Sequence, residues 1–90
     1  MDQSDVPDVY VNSVRTGANV YEFTFDFGLT QPTTDPRSPG PTRPVVRMRM
    51  SPQHATVFER VLRDTIEKYE RQIGHITVPA KVFTDIGIEP

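Results

Sequence analysis

The sequence predicts an α+β fold, with an antiparallel sheet of three to four strands followed by one long helix packed on one face (β-β-β-α). Three observations carry this prediction. Residues 20–28 (VYEFTFDFG) alternate apolar and polar side chains, the period of a half-buried strand. Residues 45–50 (VVRMRM) repeat the alternation. Immediately after them the period changes: Ala55, Phe58, Leu62, Ile66, Tyr69 and Ile73 recur at steps of 3, 4, 4, 3 and 4, one stripe of a helix.

Residues 1–7 read as a flexible, acidic lead-in. The domain proper is expected over residues 8–79, with a C-terminal extension at 80–90. A first strand is expected at residues 8–16 (DVYVNSVRT), which are rich in β-branched and aromatic types. Gly17, Ala18 and Asn19 are expected to form the turn, because Gly and Asn tolerate positive φ. In the second strand Tyr21, Phe23, Phe25 and Phe27 fall on one face and Glu22, Thr24 and Asp26 on the other. Such an aromatic row needs a cover, and the helix stripe is the expected one. Gly28 is expected to end this strand.

Residues 30–44 hold five prolines and one glycine in 15 positions. That density opposes regular structure, so a long connector is expected. Spacings of the PxxP type occur at Pro36 to Pro39 and at Pro41 to Pro44, compatible with a ligand for an aromatic groove but common in any proline-rich loop. In the third strand Val46, Met48 and Met50 are expected on the apolar face. Val45, Arg47 and Arg49 are expected outward, the two arginines opposite Glu22 and Asp26 if the strands are neighbours.

The helix has clear start and stop signals. Ser51 is a good N-cap, Pro52 fits the first helical position, and Gly74 suits a C-terminal cap. About 22 residues at 1.5 Å each give a rod of roughly 33 Å. Val57 and Val61 widen the apolar stripe, while Glu59, Arg63, Glu67 and Arg71 alternate in sign at i,i+4 spacing on the other face. After the helix, His75 to Pro79 suggest a short edge strand. Val82, Phe83, Ile86 and Ile88 are too apolar for a free tail and are expected to pack on the domain or on a second subunit.

With 90 residues and no cysteine, the chain makes one small domain with neither disulfides nor thiolate metal sites. Its formal charge of −2 is unevenly spread: −5 over residues 1–36, +4 over 37–50 and −1 over 51–90. The middle block, Arg37, Arg43, Arg47 and Arg49, is the main candidate for nucleic-acid contact; the aromatic row is a poorer one, because Glu22 and Asp26 alternate with its rings and repel phosphates. No apolar run approaches the roughly 18 residues of a membrane span. A soluble cytoplasmic protein is expected. Catalytic patterns are missing: the two histidines, His54 and His75, stand at opposite ends of the helix, no zinc-ligand spacing occurs, and no glycine-rich phosphate loop is present. The helix N-terminus, with Ser51, Gln53 and His54, is the best polar site, either as an anion-binding turn or as capping alone. No enzyme activity, cofactor or metal is expected.

The residues Tyr10, Asn12, Tyr21-Glu22-Phe23, Asp26-Phe27-Gly28, Met50-Ser51-Pro52-Gln53-His54-Ala55 and Glu67-Lys68-Tyr69-Glu70 resemble a family of small prokaryotic proteins known only as a domain of unknown function. The resemblance runs over about residues 9–74, and MSPQHA after a strand is its most specific part. It departs at the proline-rich loop and the tail. It implies a prokaryotic source and a strand-strand-strand-helix core, and carries no reaction. In element order alone the chain is also similar to the SecB-type export chaperones.

The reading that follows is a non-catalytic interaction protein, a homo-oligomer and most simply a dimer, adaptor-like or chaperone-like. Candidate interaction residues are Arg37, Arg43, Arg47, Arg49, Ser51, Gln53, His54, Val82, Phe83 and Ile86. The alternative is nucleic-acid binding through the arginine block.

Overall fold

A computed structural model of the chain describes residues 5–32, 35 and 40–89. Three strands, β1 (Ser13–Ala18), β2 (Phe23–Thr30) and β3 (Thr42–Met50), precede two helices, α1 (Pro52–Gln72) and α2 (Ala80–Asp85). The strands form one antiparallel sheet in the order β1-β2-β3. This is the β-β-β-α layout that the sequence predicts. The chain divides into two compact units, Met1–Thr56 and Val57–Pro90. The first holds the sheet and the first turn of α1; the second holds the rest of α1 and α2.

In the sheet unit, alternation along β2 decides which side chains share a face. Phe23, Phe25 and Phe27 lie opposite Met50, Met48 and Val46 on β3 and opposite Ala18, Thr16 and Val14 on β1. The rings of Phe25 and Phe27 stack with centroids 6.3 Å apart. On the other face Asp26 stands between Arg15 and Arg47, and Thr24 between Gly17 and Arg49. The apolar-in, polar-out division of β2 and β3 is therefore as expected.

The element ends differ from expectation, each for a local reason. β1 begins at Ser13, and residues 8–12 join no strand. The hairpin turn lies at Asn19–Glu22 and begins two residues later than expected, since Gly17 and Ala18 belong to β1. The Asn19 side chain selects it, its Oδ1 accepting from the amides of Tyr21 (2.8 Å) and Glu22 (3.0 Å) while its own amide donates to the Glu22 carbonyl (3.0 Å). Tyr21 therefore sits in the turn, 84% exposed, and leaves the aromatic row.

β2 does not stop at Gly28. It continues to Thr30, and β3 reaches back to Thr42 to pair with it. The proline-rich connector is shorter than expected, because the backbone groups of Gly28–Thr30 are satisfied by extending the ladder. Pro44 is tolerated since it lies on an edge strand beside a bulge. The bulge is at Phe27/Gly28, where Val45 is the extra residue: Phe27 pairs with Val46 and Gly28 with Pro44.

In the helical unit α1 begins and ends almost where the sequence places it. The Ser51 hydroxyl accepts from the His54 amide at 3.1 Å, so Ser51 is the N-cap. Gly74 has φ +153°, a value that L side chains rarely adopt. On the charged face Arg63 donates from Nε to Glu59 at 2.9 Å, and Lys68 pairs with Asp64 at 2.9 Å. The edge strand expected at His75–Pro79 does not form. That segment is irregular, and Glu70 holds its start, accepting from the Ile76 amide at 2.9 Å and facing His75 Nδ1 at 2.9 Å. The tail instead coils into α2, which Lys81–Asp85 braces at 2.7 Å and which ends where Gly87, at φ +79°, donates to the Thr84 carbonyl.

Burial departs most from expectation. Ala55 is the one buried apolar side chain among the described residues. Phe23, Phe25 and Phe27 are only half-buried. Past Ala55 the apolar stripe keeps partial exposure, from 36% at Phe58 to 71% at Ile73 just beyond α1. A chain of 90 residues buries only about two-thirds of the surface its unfolded form exposes, so its core is small.

Candidate interaction surfaces

The polar face of the sheet is the most organised charged surface. Arg47 donates from Nε to Asp26 Oδ1 at 2.5 Å and from its terminal nitrogen to Oδ2 at 3.3 Å. The register makes this bidentate pair possible, since Asp26 and Arg47 are directly opposite. The hydrogen bond from Arg47 holds the Asp26 carboxyl below its ordinary value; burial opposes this, and the charges of Arg47, Arg15 and Arg49 assist it. Around this cluster the sheet forms an open depression of about 580 Å³, whose polar lining includes Ser13, Arg15, Asp26, Thr42 and Arg47.

The three described arginines of the basic block, Arg43, Arg47 and Arg49, do not form one row. Arg47 and Arg49 share the polar face, and Arg15, which the charge pattern did not single out, joins them from β1. Arg43 pairs with Leu29, which by alternation belongs to the aromatic face. The extra residue Val45 causes this, because one inserted residue turns every later side chain to the other face. Arg37 lies outside the described residues, as do Pro36 and Pro39. Of the other PxxP pair, Pro44 is held in β3 rather than in a polyproline turn.

Ser51, Gln53 and His54 do stand together at the N-terminus of α1, where the Ser51 hydroxyl already takes the His54 backbone amide as the cap. Gln53 and His54 are exposed. Phe83 in α2 is half-buried, whereas Val82 (46%) and Ile86 (58%), just past the helix end, remain exposed. Among the described residues no group of three or more His, Asp or Glu could hold a metal ion, and no helix is long and apolar enough to cross a membrane.

Fold and surfaces together define a small α+β protein with a three-stranded sheet, a long amphipathic helix and exposed apolar surface on both. The chain belongs to the DUF3467 family, described as a protein of unknown function, whose model matches residues 1–78. No curated protein and no solved structure matches the chain.

Proposed function

We propose that this protein is a non-catalytic interaction module that works as a homo-oligomer, most simply a dimer, in the cytoplasm. One observation carries the reading: apolar side chains are exposed on β1, β3, α1 and α2, and Ala55 is the one buried apolar side chain among the described residues. Val14 on β1, Met48 on β3, and Leu62 and Ile66 on α1 are each at least 40% exposed. Apolar surface removed from water contributes roughly 25 cal/mol per Å², and a second copy can supply the cover that one chain lacks. An adaptor or chaperone-like role is the natural use of such surface. The arginine block gives weaker support to nucleic-acid binding, because Arg47 is tied to Asp26 and Arg43 lies across the bulge.

Sedimentation of the full chain tests the reading. The expected species has at least twice the 10.2 kDa chain mass and dissociates on dilution. A well-folded monomer at the highest soluble concentration overturns it, as does salt-dependent binding of DNA or RNA by such a monomer, which would favour the arginine block instead.

A further inference from the structure

The geometry points to β1 as the edge through which two copies join, running antiparallel about a two-fold axis at Thr16 and giving one continuous six-stranded sheet. This deepens the proposed self-association and rests on it. A three-stranded sheet has two edges, and unpaired strand edges invite pairing with another chain unless something blunts them. Here β3 is blunted three ways. It carries Pro44, which has no N–H to offer. It is bulged at Val45. It also bears Arg43, Arg47 and Arg49, so self-pairing centred on Arg47, Met48 or Arg49 sets an arginine against an arginine of the other copy. Like charges directly opposite are destabilising.

β1 has none of these obstacles. Ser13–Ala18 contains no proline and a single charge, and Val14 to Ala18 are exposed. Its register follows from the faces. Val14, Thr16 and Ala18 share the aromatic side of the sheet, so they must meet their like in the second copy. Centring on Arg15 would oppose Arg15 to itself, and centring on Gly17 would leave only three residues in the pairing. Centring on Thr16 places Thr16 against Thr16, Val14 against Ala18, and Arg15 against Gly17. Thr–Thr cross-strand pairs are favourable. Gly17 has open space where a Cβ would stand, so the arginine of the other copy meets no side chain there. The aromatic side then runs unbroken from one β3 to the other.

The chain has no cysteine, so a single introduced thiol reports cleanly. Directly opposed residues of an antiparallel pair have Cα atoms about 4.5 or 5.5 Å apart, both within disulfide range. Under mild oxidation, Thr16→Cys is expected to lose its monomer band on a non-reducing gel and form a reductant-sensitive covalent dimer. Met48→Cys on the blunted edge is expected to stay monomeric on the same gel. Val14→Cys mixed with Ala18→Cys is expected to give the mixed dimer ahead of either homodimer. Hydrogen exchange of the unsubstituted chain provides a measurement free of any folding defect: β1 amides gain protection as concentration rises, and β3 edge amides do not. If the unsubstituted chain sediments as a dimer while Thr16→Cys links no better than Met48→Cys and β1 stays unprotected, the edge assignment fails and self-association stands. If the unsubstituted chain is monomeric, both fail.

Discussion

The side-chain amide of Asn12 binds both backbone groups of Thr30, its Oδ1 accepting from the Thr30 amide at 2.7 Å and its Nδ2 donating to the Thr30 carbonyl at 3.2 Å. An asparagine side chain thus does what a further strand residue would do, and the β1–β2 ladder is completed one residue before β1 begins. The Asn12 amide itself donates to the Gly28 carbonyl at 3.0 Å, and the Thr30 and Thr42 hydroxyls meet at 2.8 Å on the next strand. This end of the sheet is held by polar contacts rather than by packing. Replacing Asn12 by Ala removes two hydrogen bonds of roughly 0.5–1.5 kcal/mol each, so a loss of about 1–3 kcal/mol is expected. Urea titration followed by circular dichroism measures it. An unchanged midpoint would mean that these bonds do not hold the sheet end.

The Asp26–Arg47 pair makes a prediction about pH. Its hydrogen bond lowers the Asp26 carboxyl from an ordinary value of 3.8, so the folded state holds that proton less tightly than the unfolded chain. The pair's contribution is therefore fully present above the unfolded value and is lost as pH falls through the lower, folded value. Asp26→Asn is expected to lower the urea midpoint at neutral pH and to match the unsubstituted protein well below pH 3.8. Both side chains are exposed, 57% for Arg47 and 40% for Asp26, so raising the salt should shrink the neutral-pH difference. A difference that persists unchanged into acid would show that the pair is not its cause.

How much of this could be read from the residues depended on how local the deciding physics is. The N-cap of α1 is settled within four residues, and Ser51 and Pro52 were legible at once; Gly74 was placed correctly past the helix end, but its φ of +153° is not that of the left-handed cap. The facing of Asp26 and Arg47 followed from strict alternation on two neighbouring strands. The turn was misplaced because Gly17 and Asn19 are both turn residues, and only the acceptor geometry of the Asn19 side chain chooses between them. The bulge at Val45 was invisible because an inserted residue leaves no mark on composition, and it alone separates Arg43 from Arg47. Arg15 was missed as a member of the polar cluster because it is far from the arginine block in sequence and comes beside Asp26 only through β1–β2 pairing. The helix stripe was read correctly as apolar, but periodicity says which side chains share a face and not what covers them.

Gly28 supplies the sharpest test of the bulge. Glycine was expected to end β2, yet Gly28 is buried inside it, opposite Pro44. A Cβ at this position would lie 2.9 Å from the Arg43 carbonyl oxygen, 2.9 Å from Thr42 Cγ2 and 3.0 Å from Ser13 Oγ. The nearest of these is backbone on β3 and the farthest is on β1, so the added methyl is wedged between both neighbours and no single rotamer change relieves it. Gly28→Ala is therefore expected to destabilise the sheet by about 1–3 kcal/mol, the usual range for overpacking. Gly17→Ala is the control: a Cβ there meets nothing within 4 Å and the backbone is not in the left-handed region, so it should be neutral or gain up to about 1 kcal/mol through the unfolded chain. Paired urea titrations of the two variants decide the matter. Equal effects at both glycines would mean that β2 and β3 do not close on Gly28, and the displacement of Arg43 from the arginine row would lose its cause.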